Sequence, residues 1–153
     1  PLVVKTAKAL FDGSVQATPQ PVPEGPIPEA PKIFKKDCIL DFAKTAEELH
    51  RQVKALSPYP AAIAYLHNAE TGDTTPIKVL ESRISTENPK SYEQGSLISD
   101  GKHFFGMACT DGRILYFEKV QLPGKKALTI DDCLRGLRME NRNMLSFSKV
   151  INN

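Results

Sequence analysis

Apolar positions recur with two different periods along this chain, which predicts short strands together with a few helices. One helix face is predicted by apolar residues at steps of three, four and three: Ala46, Leu49, Val53 and Leu56. Thr45 and Glu48 stand where a capping box needs them, so this helix begins after Thr45. Ser57-Pro58 ends it, because a residue that precedes proline avoids the helical conformation.

Between residues 61 and 122 the apolar runs become short and typical of strands. They are Ala61–Leu66, Ile77–Ile84, Ser96–Ser99, His103–Cys109 and Ile114–Leu122. Asp100-Gly101 and Asp111-Gly112 separate the later runs and predict type I′ hairpin turns, whose two central residues both need a positive φ. Five short strands with tight turns predict a small, closed or nearly closed β-barrel against which the first helix packs.

A second helix is predicted after the strands, capped by Thr129 together with Asp132. Its buried stripe is predicted to be Ile130, Cys133, Leu134 and Leu137. The fold class is therefore mainly β: a small barrel with one helix before and one after the strands. Residues 32–138 form this domain, and the tail 139–153 shows no clear pattern.

The first thirty residues have a different organisation. Residues 1–12 predict a helix that ends at Asp12-Gly13, and its apolar stripe together with a start at Pro1 suggests a piece of a longer chain. Six of the twelve prolines lie between Pro19 and Pro31. This composition predicts an extended spacer that buries little, although SH3-type domains also bind such segments.

Composition narrows the class of protein. Of 153 residues, 41% are hydrophobic and 25% are charged, which suits a packed domain in water. No run approaches the roughly 20 apolar residues of a membrane span, so no membrane partner is expected. Three widely spaced cysteines favour a reducing compartment over a disulfide framework. No metal site is predicted, because the sequence contains neither a Cys-x-x-Cys motif nor paired histidines.

The charge distribution gives the strongest chemical signal. Residues 113–153 carry eight Lys and Arg against four acidic residues. Lys125 and Lys126 stand in a Gly-containing loop, and the helix after it carries Arg135 and Arg138 on one face, with Arg142 one turn further. Lysines and arginines in this arrangement suit a sugar-phosphate backbone, and a merely solvated helix face accounts for them equally well. His50, His67 and His103 have no partners for catalysis, so no catalytic residue is predicted.

Four segments in order carry a family resemblance. They are Gly13–Gln20 with Ala30–Ile33, Asp41–Ala43 with Ala46–Pro60, Gln121–Leu128, and Asp132–Gly136. Over residues 2 to 138 the chain resembles the methionyl-tRNA formyltransferase family. Phe42 and Tyr59 stand where the family often has Trp, and both keep an aromatic ring.

This resemblance implies the function and the division of the chain. The family transfers a formyl group from 10-formyltetrahydrofolate to the amino group of methionyl initiator tRNA in translation initiation. Its catalytic residues and folate site lie in an N-terminal domain that precedes this sequence, so no cofactor is expected here. Residues 1–16 would be that domain's last helix, 17–31 the interdomain linker, and 32–138 an OB-like tRNA-binding domain.

The same resemblance implies partners and site residues. Lys125, Lys126, Arg135 and Arg138 fall on or beside the family's basic loop and helix, so we expect them to bind tRNA. Expected partners are initiator methionyl-tRNA and the enzyme's own catalytic domain, in a cytoplasmic monomer. The alternatives are an accessory C-terminal subdomain of another 10-formyltetrahydrofolate enzyme, such as formyltetrahydrofolate dehydrogenase or a nucleotide-sugar formyltransferase, and a purely bracing domain.

Overall fold

A computed structural model of the chain describes residues 1–22, 24–27, 29–69, 71–86, 92–136 and 145–147. The chain divides into two compact units, Pro1–Lys32 and Ile33–Asn153. In the first unit, helix α1 spans Leu2–Phe11, and Gly13 follows it with a φ of +71°. The predicted helix is therefore confirmed. The described residues between 17 and 31 are exposed and form neither helix nor strand.

In the second unit, helix α2 spans Ala46–Leu56 and begins at the predicted capping box. The Thr45 hydroxyl accepts from the Glu48 N–H at 3.3 Å, and the Glu48 carboxylate accepts from the Thr45 N–H at 2.9 Å. The four residues of the predicted apolar face are all buried. Both ends and the buried face of α2 were thus predictable from local sequence.

Seven antiparallel strands form one sheet. They are β1 Ala62–Asn68, β2 Thr74–Ile84, β3 Leu97–Ser99, β4 Phe105–Ala108, β5 Ile114–Gln121, β6 Ala127–Thr129 and β7 Leu145–Phe147. The order is β3-β4-β5-β2-β1-β7, and β6 pairs with β5 beyond the end of β4. Edge strands β3 and β7 have Cα atoms within 8 Å of each other, so the sheet curls toward a barrel.

The mainly β class is confirmed, with α2 before the strands and helix α3, Ile130–Gly136, after β6. Thr129 and Asp132 bond to each other as predicted, and Cys133 and Leu134 are buried. Leu137 lies outside the described residues. The sequence pattern missed three short elements: the 3₁₀ turn Lys35–Cys38, β6 and β7.

The core lies between α2 and the concave side of the sheet. Helix α2 packs on β1, β2 and β5, while α3 packs beside β5 and β6. In parts of β1, β2 and β5 the buried residues alternate with more exposed ones, which places the more exposed set on the outer face. The largest fully buried side chains are Phe117, Leu49, Met107, Leu115, Val53, Val79 and Val120.

The two Asp-Gly pairs lie in the β3–β4 and β4–β5 connections, but the prediction that they form type I′ turns is wrong. Each connection has five residues, and only the glycines have a positive φ, +74° at Gly101 and +72° at Gly112. The Asp100 carboxylate accepts from the N–H groups of residues 102, 103 and 104 at 2.9, 2.8 and 3.1 Å. Side-chain capping of a longer loop thus replaces the tight turn.

Candidate nucleic-acid interface

The β5–β6 loop presents two lysines on a fixed backbone. Gly124 adopts a φ of +68°, and the Lys125 N–H donates to the Leu122 carbonyl at 3.1 Å. The Gln121 side-chain amide donates to the Lys125 carbonyl at 2.9 Å. The side chains of Lys125 and Lys126 are exposed, and neither forms an ion pair within the described part of the chain. Two positive charges are therefore open to an anionic partner.

The predicted helix arginines differ from these lysines. Arg135 is exposed, but its guanidinium is paired with the Asp132 carboxylate one turn earlier. An arginine in an ion pair offers a phosphate less than a free one, because the existing pair must first be broken. Arg138 and Arg142 lie outside the described residues.

The loop and α3 border different grooves. Gly124 lines a first groove of about 310 Å³ together with Lys35 and Lys78. Arg135 lines a second groove together with Lys102 and His103. The two grooves share no lining residue, and among the described residues no hydrogen bond or ion pair joins the loop to Arg135. Among the described residues, Lys125 and Lys126 therefore have no direct contact with Arg135.

The first groove lies on the outer face of the central strands. Ile63 of β1, Lys78 of β2 and Gln121 of β5 stand in one row across the sheet. Tyr65 and Pro76 form the next row. Their chain neighbours Ala64, Ile77, Val79 and Val120 are buried in the core, so strand alternation turns this set outward. Leu122 and Pro123 complete the lining.

The charge of the first groove is uniformly basic. Among the described residues, its charged lining consists of Lys35 and Lys78 and includes no acidic residue. The second groove includes Asp131, and a third includes Asp131 and Glu118. In that third groove Arg83 lies 4.2 Å from the centre of the Tyr116 ring and 3.5 Å from the Glu118 carboxylate. The first groove is thus the one of these three most favourable to a phosphate.

The histidines have structural partners. His50 Nδ1 lies 2.9 Å from Ser82 Oγ and joins α2 to β2, and His67 Nδ1 lies 3.2 Å from Thr74 Oγ1. His103 Nδ1 lies 3.0 Å from the Asp100 carboxylate. Burial opposes ionisation of Asp100, but the N–H groups that donate to its carboxylate outweigh burial and lower its pKa. These pairs hold loops and strands in place.

The cysteines are buried and free. Burial, with a smaller contribution from Asp111, raises the pKa of the Cys109 thiol to about 12, and burial also raises the pKa of Cys133. Such thiols are poor nucleophiles at neutral pH. Among the residues that the structure describes, no cluster of His, Cys, Asp and Glu could hold a metal ion. Within the same residues no helix has the length and apolar character that crossing a bilayer requires.

Comparison with known families identifies the second unit. Residues 32–138 match the family described as formyl transferase, C-terminal domain. The chain belongs to this family. The resemblance to methionyl-tRNA formyltransferases, drawn from four short segments of sequence, is confirmed.

Relatives in several bacteria agree with the assignment of this formyl transferase C-terminal domain. A methionyl-tRNA formyltransferase of Bacteroides fragilis is 37% identical over 142 residues, which is 90% of this chain and 42% of the relative. The enzyme of Flavobacterium johnsoniae is 35% identical over 88% of this chain and 41% of the relative. For Clostridium novyi the identity is 31% over 94% of this chain and 43% of the relative. The chain thus spans about two fifths of the length of these relatives.

Three residues of the first groove were absent from the sequence prediction: Lys35, Tyr65 and Lys78. Tyr65 and Lys78 each stand between two apolar residues, in β1 and β2 respectively. A polar or amphipathic residue at such a position indicates the outer face of a strand. That sign does not show which exposed residues become neighbours, because neighbours across strands depend on register.

Proposed function

We propose that this chain contains the tRNA-binding domain of a methionyl-tRNA formyltransferase. The observation that carries the proposal is the β5–β6 loop, which holds Lys125 and Lys126 exposed on a hydrogen-bonded backbone in a formyl transferase C-terminal domain. Lysines supply flexible positive charge to phosphates, and such contacts position RNA without reading its sequence. Arg135 and Arg138 would add to this surface, Arg135 after exchanging Asp132 for a phosphate.

This proposal also assigns a role to each domain of the whole enzyme. The complete protein transfers a formyl group from 10-formyltetrahydrofolate to the amino group of methionyl initiator tRNA. The folate site and catalytic groups belong to the N-terminal catalytic domain, of which residues 1–16 form the last helix, and residues 17–31 link it to the domain 32–138. We place the enzyme in the cytoplasm as a monomer.

A direct binding measurement tests this function. The 153-residue chain is titrated with initiator and elongator tRNA at several salt concentrations. We expect weak binding to both, with little discrimination, and a log–log slope of roughly −0.7 to −0.9 for each phosphate that is neutralised. A domain that only braces a catalytic domain, or one that serves a small-molecule formyltransferase, predicts no measurable affinity for either tRNA.

A further inference from the structure

We propose that the first groove binds one unpaired nucleotide of an RNA strand, with the base against Tyr65 and the neighbouring phosphates neutralised by Lys35 and Lys78. This inference takes the class of ligand from the proposed function and adds a site to it. The site lies outside the four residues that the sequence assigned to tRNA.

The lining of the groove suits the face of a base. Ile63, Pro76, Leu122 and Pro123 supply apolar surface around the half-buried ring of Tyr65. An aromatic ring on an open surface is a stacking platform for any base, because each base has a π face. Bases in a duplex are already stacked on both faces, so only an unpaired nucleotide can use this surface.

The charges of the groove suit the backbone on either side of that base. Lys35 and Lys78 are exposed, and neither is in an ion pair within the described residues. A groove of about 310 Å³ lies at the lower end of the range for ligand sites and is too small for a duplex. Aromatic and cationic groups in one groove are typical of single-strand binding surfaces.

The groove is continuous with the lysine loop. Pro123 and Gly124 line the groove, and Lys125 and Lys126 come directly after them. Gln121 both lines the groove and donates to the Lys125 carbonyl, so it couples the position of the loop to the groove floor. An RNA strand whose phosphates contact Lys125 and Lys126 therefore lies next to the groove that contains Tyr65.

The test compares two RNA probes of equal phosphate number, an unstructured single-stranded adenosine oligonucleotide and a blunt-ended duplex. The variants are Tyr65→Ala, Tyr65→Phe and the control Tyr59→Ala, whose ring is 86% exposed and outside the groove. Stacking of a base is worth roughly 1–3 kcal/mol, so Tyr65→Ala should weaken single-strand binding by roughly five- to 150-fold. It should leave the salt slope and duplex binding unchanged, and Tyr65→Phe and Tyr59→Ala should bind like the wild type.

Two further variants test the charge of the groove and guard against misfolding. Lys78→Gln should keep the preference for the single strand and make the salt slope shallower by about one unit. If Tyr65→Ala lowers the melting temperature, Tyr65→Leu, which keeps apolar bulk without a ring, replaces it. Equal single-strand affinity of the wild type and the variant without a ring, Tyr65→Ala or Tyr65→Leu, overturns the groove assignment. That is also the result expected if a protein surface occupies the groove. Failure of the wild-type chain to bind any RNA, tRNA included, instead overturns the proposed function.

Discussion

Replacing Gly106 with alanine tests the close approach of strands β4 and β5. Gly106 lies in β4 opposite Tyr116 of β5 and is buried. A Cβ atom added there would lie 2.5 Å from the Leu115 carbonyl oxygen and 3.0 Å from the Tyr116 Cα. Both neighbours are backbone atoms, so no side-chain rotation can relieve the contact. The two strands would have to move apart.

The expected loss of stability follows from that displacement. Overpacking a well-packed site costs typically about 1–3 kcal/mol, and a contact with backbone on both sides places Gly106→Ala in the middle of this range, near 2 kcal/mol. For a domain of this size, 1 kcal/mol lowers the melting temperature by roughly 4–6 °C. We therefore expect the melting temperature to fall by about 10 °C, measured by far-UV circular dichroism, with a matching fall in the urea midpoint.

Gly136→Ala is the matched control, because it makes the same chemical change where the described part of the chain places no atom within 4 Å of the new Cβ. Alanine at the end of α3 should be neutral or stabilise the domain by up to about 1 kcal/mol. A Gly106→Ala variant that melts within about 2 °C of the wild type would refute the close approach of β4 and β5.

Two further predictions concern ionisable groups. Asp100→Ala removes the acceptor of three backbone N–H groups. Because the Asp100 side chain is 33% exposed, the loss of stability should be about 1–2 kcal/mol at pH 7. Because the folded pKa of Asp100 is lower than 3.8, its contribution is complete above that value and is lost as the pH falls below it, so urea melts of wild type and variant should converge in acid. Cys109, with its pKa raised to about 12, should react slowly with a thiol reagent at pH 8 in the native protein and rapidly in denaturant, and fast native reaction would contradict its burial.

Local signals explain what the sequence predicted well. Helix α2 was predictable because its cap and apolar face lie within twelve consecutive residues that reinforce one another. The main strands were predictable for the same reason, since β-branched and aromatic residues alternate with polar ones between turn residues. The prediction of a type I′ turn at Asp100-Gly101 was wrong because the Asp100 carboxylate caps a five-residue connection. This capping depends on three backbone N–H groups that lie beyond the dipeptide.

Long-range pairing explains what the sequence left out. Strands β6 and β7 have three residues each, too few for a period to appear, and they exist because β5 and β1 offer free edges. The first groove needs the register of three strands before Tyr65, Lys78 and Gln121 become neighbours.

The central claim is that the β5–β6 loop holds tRNA through its phosphates. The most direct test is the salt dependence of tRNA binding by Lys125→Gln/Lys126→Gln, compared with the wild type and with Lys5→Gln/Lys8→Gln, which removes the same charge from α1. We expect the loop variant to make the log–log slope shallower by about two units at an unchanged melting temperature, because a loop lysine is not part of the core. The α1 variant should retain the wild-type slope. An unchanged slope in the loop variant, or an equal change in both variants, would contradict the assignment of the tRNA surface to this loop.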